Sequence, residues 1–294
     1  MIESLIQAVV GGLAVGATYG LVAIGYSLIY RTTRVINIAQ GDLVILAAYI
    51  AWTLNVSWSL PMLLVVLIVP VVTGALSVAA ERLIFRPLYG KGFLPPIVVS
   101  IGLAFVLQSL ILLVWGPLGK ALPSFLGDTP FTVAGITLVP ESLWIFAIGV
   151  LMAVLIHELL GRSRVGRAMR TTAHSSHLAK LLGIPAQRMF ALAFFLAGAV
   201  GAIGGILVAP TTFMQPGLGL TIGIAGFIAA TIGGLGNVSG AFLGGLLLGV
   251  VGNVATLYID PSYSQIIIYA VFAVFLLFRP FGIFREEGMA VRDV

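Results

Sequence analysis

Apolar runs long enough to cross a bilayer follow one another almost without pause, at residues 5–30, 38–54, 61–81, 96–115, 141–160, 189–210, 218–235, 240–258 and 264–278. About 20 residues rising 1.5 Å each match the ~30 Å hydrocarbon core, where a helix is the single-segment structure that satisfies its own backbone. With 60% of residues hydrophobic and 9% charged, the chain has too little polar surface to cover a soluble globule. The expected fold is an all-α polytopic membrane protein of eight to nine transmembrane helices, forming a single domain over residues 1–294.

Charge sets the expected topology. Glu3 stands near the N-terminus with no early Lys or Arg, which argues against a cleaved signal peptide and for an outside terminus. Alternation from there leaves 31–37, 82–95, 161–188, 236–239 and 279–294 in the cytoplasm. Of the 15 basic residues Lys120 alone then lies outside, so 15 − 1 = 14 are inside. That is the asymmetry of a positive-inside protein. Spans one to four start outside and spans six to nine start inside, the arrangement of an inverted repeat joined by span five.

The segment 161–188, GRSRVGRAMRTTAHSSHLAKLLGIPAQR, is the longest that cannot enter hydrocarbon, and it holds Arg162, Arg164, Arg167, Arg170, Lys180 and Arg188 with no acidic residue. Val165, Ala168, Met169, Thr172 and Ala173 recur at helical spacing, and Leu178, Leu181 and Leu182 share a second face. Ser175 or Ser176 caps the second helix, and Gly183 and Pro185 stop it. Two short basic helices with an apolar stripe form a docking surface for a cytoplasmic partner, or else lie on anionic lipid.

Glycine, 36 of 294 residues, is about 12% where ~7% is usual. Gly12, Gly16 and Gly20, then Gly201/Gly205, Gly219/Gly223, Gly240/Gly244 and Gly245/Gly249, have the spacing that lets helix backbones touch. The stretch 231–245 reads as a tight turn or a broken helix. Residues 116–140 form an extracytoplasmic cap in which FTVAGITLV makes two short strands around Ala134-Gly135.

Polar side chains inside the apolar runs are few. Asn37, Gln40 and Asp42 begin span two, Ser100 and Gln108 lie in span four and Asn253 in span eight. Residues 31–42 read as a re-entrant segment or as a polar helix start with Asp42 in its first turn. The single Gln108 reads as an interhelical hydrogen bond or a solute contact, and all six residues are candidates for the pathway. Glu81 is expected to pair with Arg82 or Arg86, and His157 and Glu158 to anchor at the interface. His174 and His177 lack a third ligand nearby, so no metal site is expected.

Without cysteine, thiol and iron–sulfur chemistry is excluded. GPLGKA at 116–121 fails the spacing of a P-loop, so the chain is not expected to hydrolyse nucleotide or to be an enzyme. Spans with almost no ionisable group beyond Asp42 suit a translocation path driven from outside the bundle.

The segments ATYGLVAIGYSLIYRTTRVINIAQGDLVILAAY (17–49), ERLIFRPL (81–88), IVVSIGLAFVLQ (97–108), RVGRAMRTTAHSSHLAKLLGI (164–184), ATIGGLGNVSGAFLGGLLLG (230–249) and FRPFGIF (278–284) carry a likeness over nearly the whole length. Through them the chain resembles the permease subunits of ATP-binding cassette importers for branched-chain amino acids. Many relatives have Phe and His where this chain has Ile38 and Gln40. The resemblance implies a complex of two permeases, the second homologous or identical, with two cassette ATPases that bind ATP and Mg, and an extracytoplasmic binding protein. The setting it implies is the lipid of a bacterial-type inner membrane, with no nucleic acid and no cofactor on this chain. It makes 161–188 the ATPase-coupling segment, with Arg164, Gly166, Arg167, Ala168, Arg170, Ala173, Ala179, Leu182 and Gly183 at matching positions. The implied solute is a branched-chain amino acid, or urea or a short amide as in other members. A stand-alone secondary carrier and a membrane scaffold or enzyme subunit are the readings from other classes.

Overall fold

The computed structural model describes residues 2–124, 131–133, 136–259, 263–280 and 282–284. All nine apolar runs are helical. They form α1 (Ile2–Thr33), α2 (Gln40–Trp52), α3 (Met62–Ala80), α4 (Leu94–Trp115), α5 (Pro140–Arg162), α8 (Ala186–Val208), α9 (Leu218–Gly233), α10 (Val238–Tyr258) and α11 (Ser264–Phe278). Between α5 and α8 lie the short helices α6 (Arg164–His174) and α7 (Ser176–Leu181). Among the described residues six helices are long and apolar enough to cross a membrane alone, whereas α2, α9 and α11 have 13, 16 and 15 residues. The chain is an all-α polytopic membrane protein. Strands β1 (Phe131–Val133) and β2 (Ile136–Leu138) pair antiparallel, Phe131 opposite Leu138, where the sequence places them. Residues 125–130 of the cap, Ala134, Gly135 and the charged tail 285–294 lie outside the described residues.

The core is a glycine seam. Helix α1 packs along α10 and α8, and α8 along α3 and α2. A methyl on Gly12 would sit 2.7 Å from Val250 Cα, and one on Gly16 2.8 Å from Leu246 Cα, so the two backbones touch along three turns. Hydrocarbon gives apolar side chains little reason to leave lipid for one another, and close backbone packing supplies the attraction.

Helix α2 is the most enclosed element, with Gln40 through Tyr49 and Ala51 buried. It is wrapped by α8 and α9, and α3 and α4 cover the rest. Its connection to α1 is packed into protein rather than left as an exposed turn. Arg34 takes a left-handed conformation (φ +59°), and Val35, Ile36 and Asn37 turn back into the bundle, 6%, 8% and 1% exposed. The helix starts inside protein, with Asp42 in its first turn.

The loops sort to two ends. At one, Lys120 and Met214 exchange backbone hydrogen bonds of 3.1 and 2.9 Å, and the Lys120 ammonium lies 4.6 Å over the Trp52 ring. At the other, the stretch 231–245 holds a tight turn, residues 234–237, between α9 and α10, with Gly234 and Gly236 at φ +105° and +94°. Asn237 Oδ1 caps α10 by accepting from Gly240 N, and Asn237 Nδ2 donates to Phe284 O. Ile283 N and Phe284 N donate to the last carbonyls of α9, Ile232 and Gly233, which would otherwise lack partners.

Also at this end, Arg86 donates to both oxygens of buried Glu81 at 3.2 and 2.8 Å, which decides between its two candidate partners. Tyr89 OH donates to the same carboxylate, and burial and the Glu81 charge push its phenol above the ordinary range. His157 Nδ1 lies 2.7 Å from Ser239 Oγ, and Glu158 pairs with Arg162 at 2.8 Å, so both end-of-span residues hold partners at the helix end.

Candidate functional site

Five of the six polar span residues converge at the start of α2. Asn37 Oδ1 accepts from Ala39 N (3.2 Å), which turns the chain into the helix. Gln40 Nε2 donates to Ala197 O at 3.0 Å, near the middle of α8. Gln108 Nε2, from the middle of α4, donates to Asp42 Oδ1 at 2.9 Å. Ser100, two turns earlier on α4, accepts from Ile38 N at 3.0 Å and donates to Ile97 O. Glycines make the room: a methyl on Gly41 would overlap Gly219 O and stand 2.5 Å from Gly223 Cα, and one on Gly219 would overlap Asp42 Oδ1.

The cluster is buried and incompletely satisfied by the protein. Gln40 and Asp42 are fully buried, and Asn37 Nδ2, Gln40 Oε1 and Asp42 Oδ2 meet no partner in the protein. A buried polar atom without a partner costs about 1–3 kcal/mol, which makes three in one cluster a candidate site. Asn253 is not part of it. It lies on α10 against Gly11 and Gly12 of α1, while the cluster meets α1 at Gly25.

Helix α4 closes the cluster and is loosely held. A narrow stripe, Pro96, Ser100, Ala104 and Ile111, is buried, while Phe105, Val106, Leu113 and others are more than half exposed. Its polar ties run along that stripe: Ser100 to Ile38, Gln108 to Asp42, and Trp115 Nε1 to Thr53 Oγ1 at 2.7 Å. The last of these, and Tyr49 OH donating to Met214 O at 2.9 Å, had only aromatic residues near span ends as their sequence signal.

At the opposite level stands the basic hairpin. Ser163, a capping residue type directly before the helix, accepts from Gly166 N (2.9 Å) to start α6, and Ser175 accepts from Leu178 N (3.2 Å) to start α7. Gly183 (φ +73°) ends α7, and Ile184 N donates to Ala179 O at 2.8 Å. Gly166 and Ala179 are buried, as are Met169 and Thr172, so these positions seat the hairpin on the bundle. Ala168 and Ala173 are half-buried, and Arg164, Arg167, Arg170, Leu182 and Gly183 are exposed. Arg167 and Arg170 donate to the last carbonyls of α5, Arg162 O and Gly161 O, each at 3.1 Å, and brace the elbow. Between the helices a groove is lined by Arg170, Thr171, His174, Leu178, Leu181 and Leu182, whose leucines are 56%, 72% and 70% exposed.

A multi-pass helical bundle with a buried polar cluster and an exposed basic hairpin at one end fits a membrane permease. The family model for the branched-chain amino acid transport system permease component matches residues 8–276, and the chain belongs to that family. It is similar to the high-affinity branched-chain amino acid transport system permease protein BraD of Pseudomonas aeruginosa, 34% identical with 95% of each chain covered. LivH of Salmonella typhimurium, described in the same words, is 30% identical over 95% of this chain and 94% of its own. The autoinducer 2 import system permease protein LsrC of an Enterobacter species is 30% identical over 83% of this chain and 70% of its own. No solved structure matches the chain.

Proposed function

We propose that this chain is the membrane-spanning subunit through which an ATP-driven importer passes branched-chain amino acids. BraD and LivH, which align with it end to end, carry that substrate in their names, and LsrC carries another; the amino acid is favoured because the two amino-acid permeases cover more of both chains. The observation that carries the mechanism is the hairpin. Three exposed arginines, two of them also bracing the elbow, and three exposed leucines make an arrangement that suits insertion into a groove on a cytoplasmic ATPase. Two such ATPases, a second permease and an extracytoplasmic binding protein complete the proposed complex, with this end of the bundle in the cytoplasm and the N-terminus outside.

In this reading the solute moves past the face of α4 that carries Gln108. When the ATPases close, the hairpin transmits the motion through α5, and α4 shifts on its narrow stripe to uncover Asp42 and Gln40. The unpartnered acceptors there suit the ammonium of an amino acid, and the unpartnered Asn37 amide suits its carboxylate. The test is R167E together with R170E. Co-purification of the ATPase should fall to background while membrane insertion persists; wild-type co-purification would overturn the coupling role. Gradient-driven uptake by the chain reconstituted alone would replace the proposal with a secondary carrier.

A further inference from the structure

Glu141, one of the other unsatisfied buried groups, belongs to neither site. At the end of the bundle opposite the hairpin, the first turns of α3 and α5 and the last turns of α8 diverge around a cavity of about 310 Å3. Its walls are Met62, Val66, Ile145, Ile148, Ile203 and Ile206, and its polar lining residue is Glu141. Glu141 is 8% exposed, and its Oε1 meets no partner in the protein. Leu63 (75% exposed) and Trp144 (51%) stand at the mouth, on a surface that continues as the exposed apolar faces of α3 and α5. Tryptophan at that depth is typical of the membrane–water boundary.

We propose that this cavity is a binding site for an ethanolamine phospholipid, with its ammonium on Glu141 and the start of an acyl chain between α3, α5 and α8. Charge and shape both select that occupant. A buried carboxylate oxygen with no donor in the protein calls for a cation carrying N–H groups, and an apolar cavity opening sideways into lipid calls for a hydrocarbon chain attached to it. A choline lipid has the charge and no N–H to donate. A glycerol headgroup lacks the charge. The bound lipid would fill the gap between α5 and α8 and hold α5, from whose other end the hairpin hangs.

The test is native mass spectrometry of the purified full-length protein, released from nanodiscs holding equal parts of ethanolamine, choline and glycerol phospholipids. The wild type should retain the ethanolamine lipid over the choline lipid by roughly tenfold, the ratio of an interaction difference of about 1.4 kcal/mol. E141Q should bring that ratio close to one while the unfolding temperature without added lipid stays put. Filling the cavity with Ile148→Trp should reduce retention of every lipid class. Equal retention of the two lipids by the wild type, or an unchanged ratio in E141Q, would overturn the assignment. So would undiminished retention in a folded Ile148→Trp protein. If Ile148→Trp fails to fold, the E141Q ratio still decides.

Discussion

Helices α1–α4 and α8–α11 are wired alike. Helix α1 packs on α10 and α9, and α8 packs on α3 and α2. Helices α1 and α8 meet each other, as do α2 and α9, and α4 and α11 lie outermost. One crossing, α5, separates the two sets, so they run in opposite senses, as the alternation of spans requires. The chemistry is not shared. Helix α2 opens with Gln40, Gly41 and Asp42, while its counterpart α9 opens with Leu218, Gly219 and Leu220. The glycines of the second set form the floor on which the polar side chains of the first lie. A repeated scaffold has thus been divided into one half that carries the polar groups and one that makes room for them.

The largest effect is expected where the two halves touch. G41V places a branched side chain into Gly219 O and Gly223 Cα, and G219V places one into Asp42. Backbone sits on the far side of each contact, so neither can relax by a rotamer change. Either substitution should remove most folded protein, as read by monodisperse yield in detergent, with a cost at or above the usual ~1–3 kcal/mol of overpacking. A near-wild-type yield for both would show that α2 and α9 are not pressed together. G102A, on the open face of α4 where a methyl meets nothing within 4 Å, is the matched control and should change nothing measurable.

Next comes the division of chemistry itself. D42L leaves Gln108 without its acceptor in a buried site, whereas D42N keeps the shape and an oxygen to accept that bond. Uptake in proteoliposomes should be lost in D42L and reduced at least tenfold in D42N, with folding retained in D42N. Full uptake by D42N would mean the charge has no part in transport. The ties of α4 are weaker. Trp115→Phe deletes one interhelical hydrogen bond, and such bonds in membranes average about 0.6 kcal/mol. A small loss of thermal stability with unchanged ATPase association is the expected result.

How far these features could be read from the chain follows from the same contrast. Lipid imposes a long apolar run on every crossing, so all nine helices were legible, and the basic segment between two of them was legible as a capped helical hairpin from Ser175, Gly183 and Leu178 onward. The enclosure of α2 was not. A helix that is apolar all round has no face to betray whether lipid or protein surrounds it. The arginine at position 34 gave no sign that it would turn the chain inward, because only glycine advertises a left-handed conformation. Asn37, Gln40, Asp42, Ser100 and Gln108 were conspicuous as polar residues in apolar surroundings, yet nothing local said they would meet, since Ser100 and Gln108 reach the others across a separation of some sixty residues. Glu141 is a first-turn carboxylate at a helix start, and the divergence of three helices around it sets it apart.

The smallest effect on uptake sharpens the comparison most. Asn253 and Gln108 look the same in sequence, each a single amide in an apolar run, and they fall in opposite halves. Gln108 ties α4 to Asp42, whereas Asn253 packs against the α1 backbone at Gly11 and Gly12. The polar cluster reaches α1 at Gly25, thirteen residues further along, which is roughly 20 Å at 1.5 Å per residue. If the polar half alone handles the solute, N253L should leave uptake at the wild-type rate, with a stability change of about 1 kcal/mol, the centre of the range for point substitutions. Gln108→Leu, equal in size and chemistry of change, should cut uptake severalfold with ATPase association intact. Equal losses from the two would place the second half in the pathway as well, and the asymmetry between the repeats would then be one of packing rather than of function.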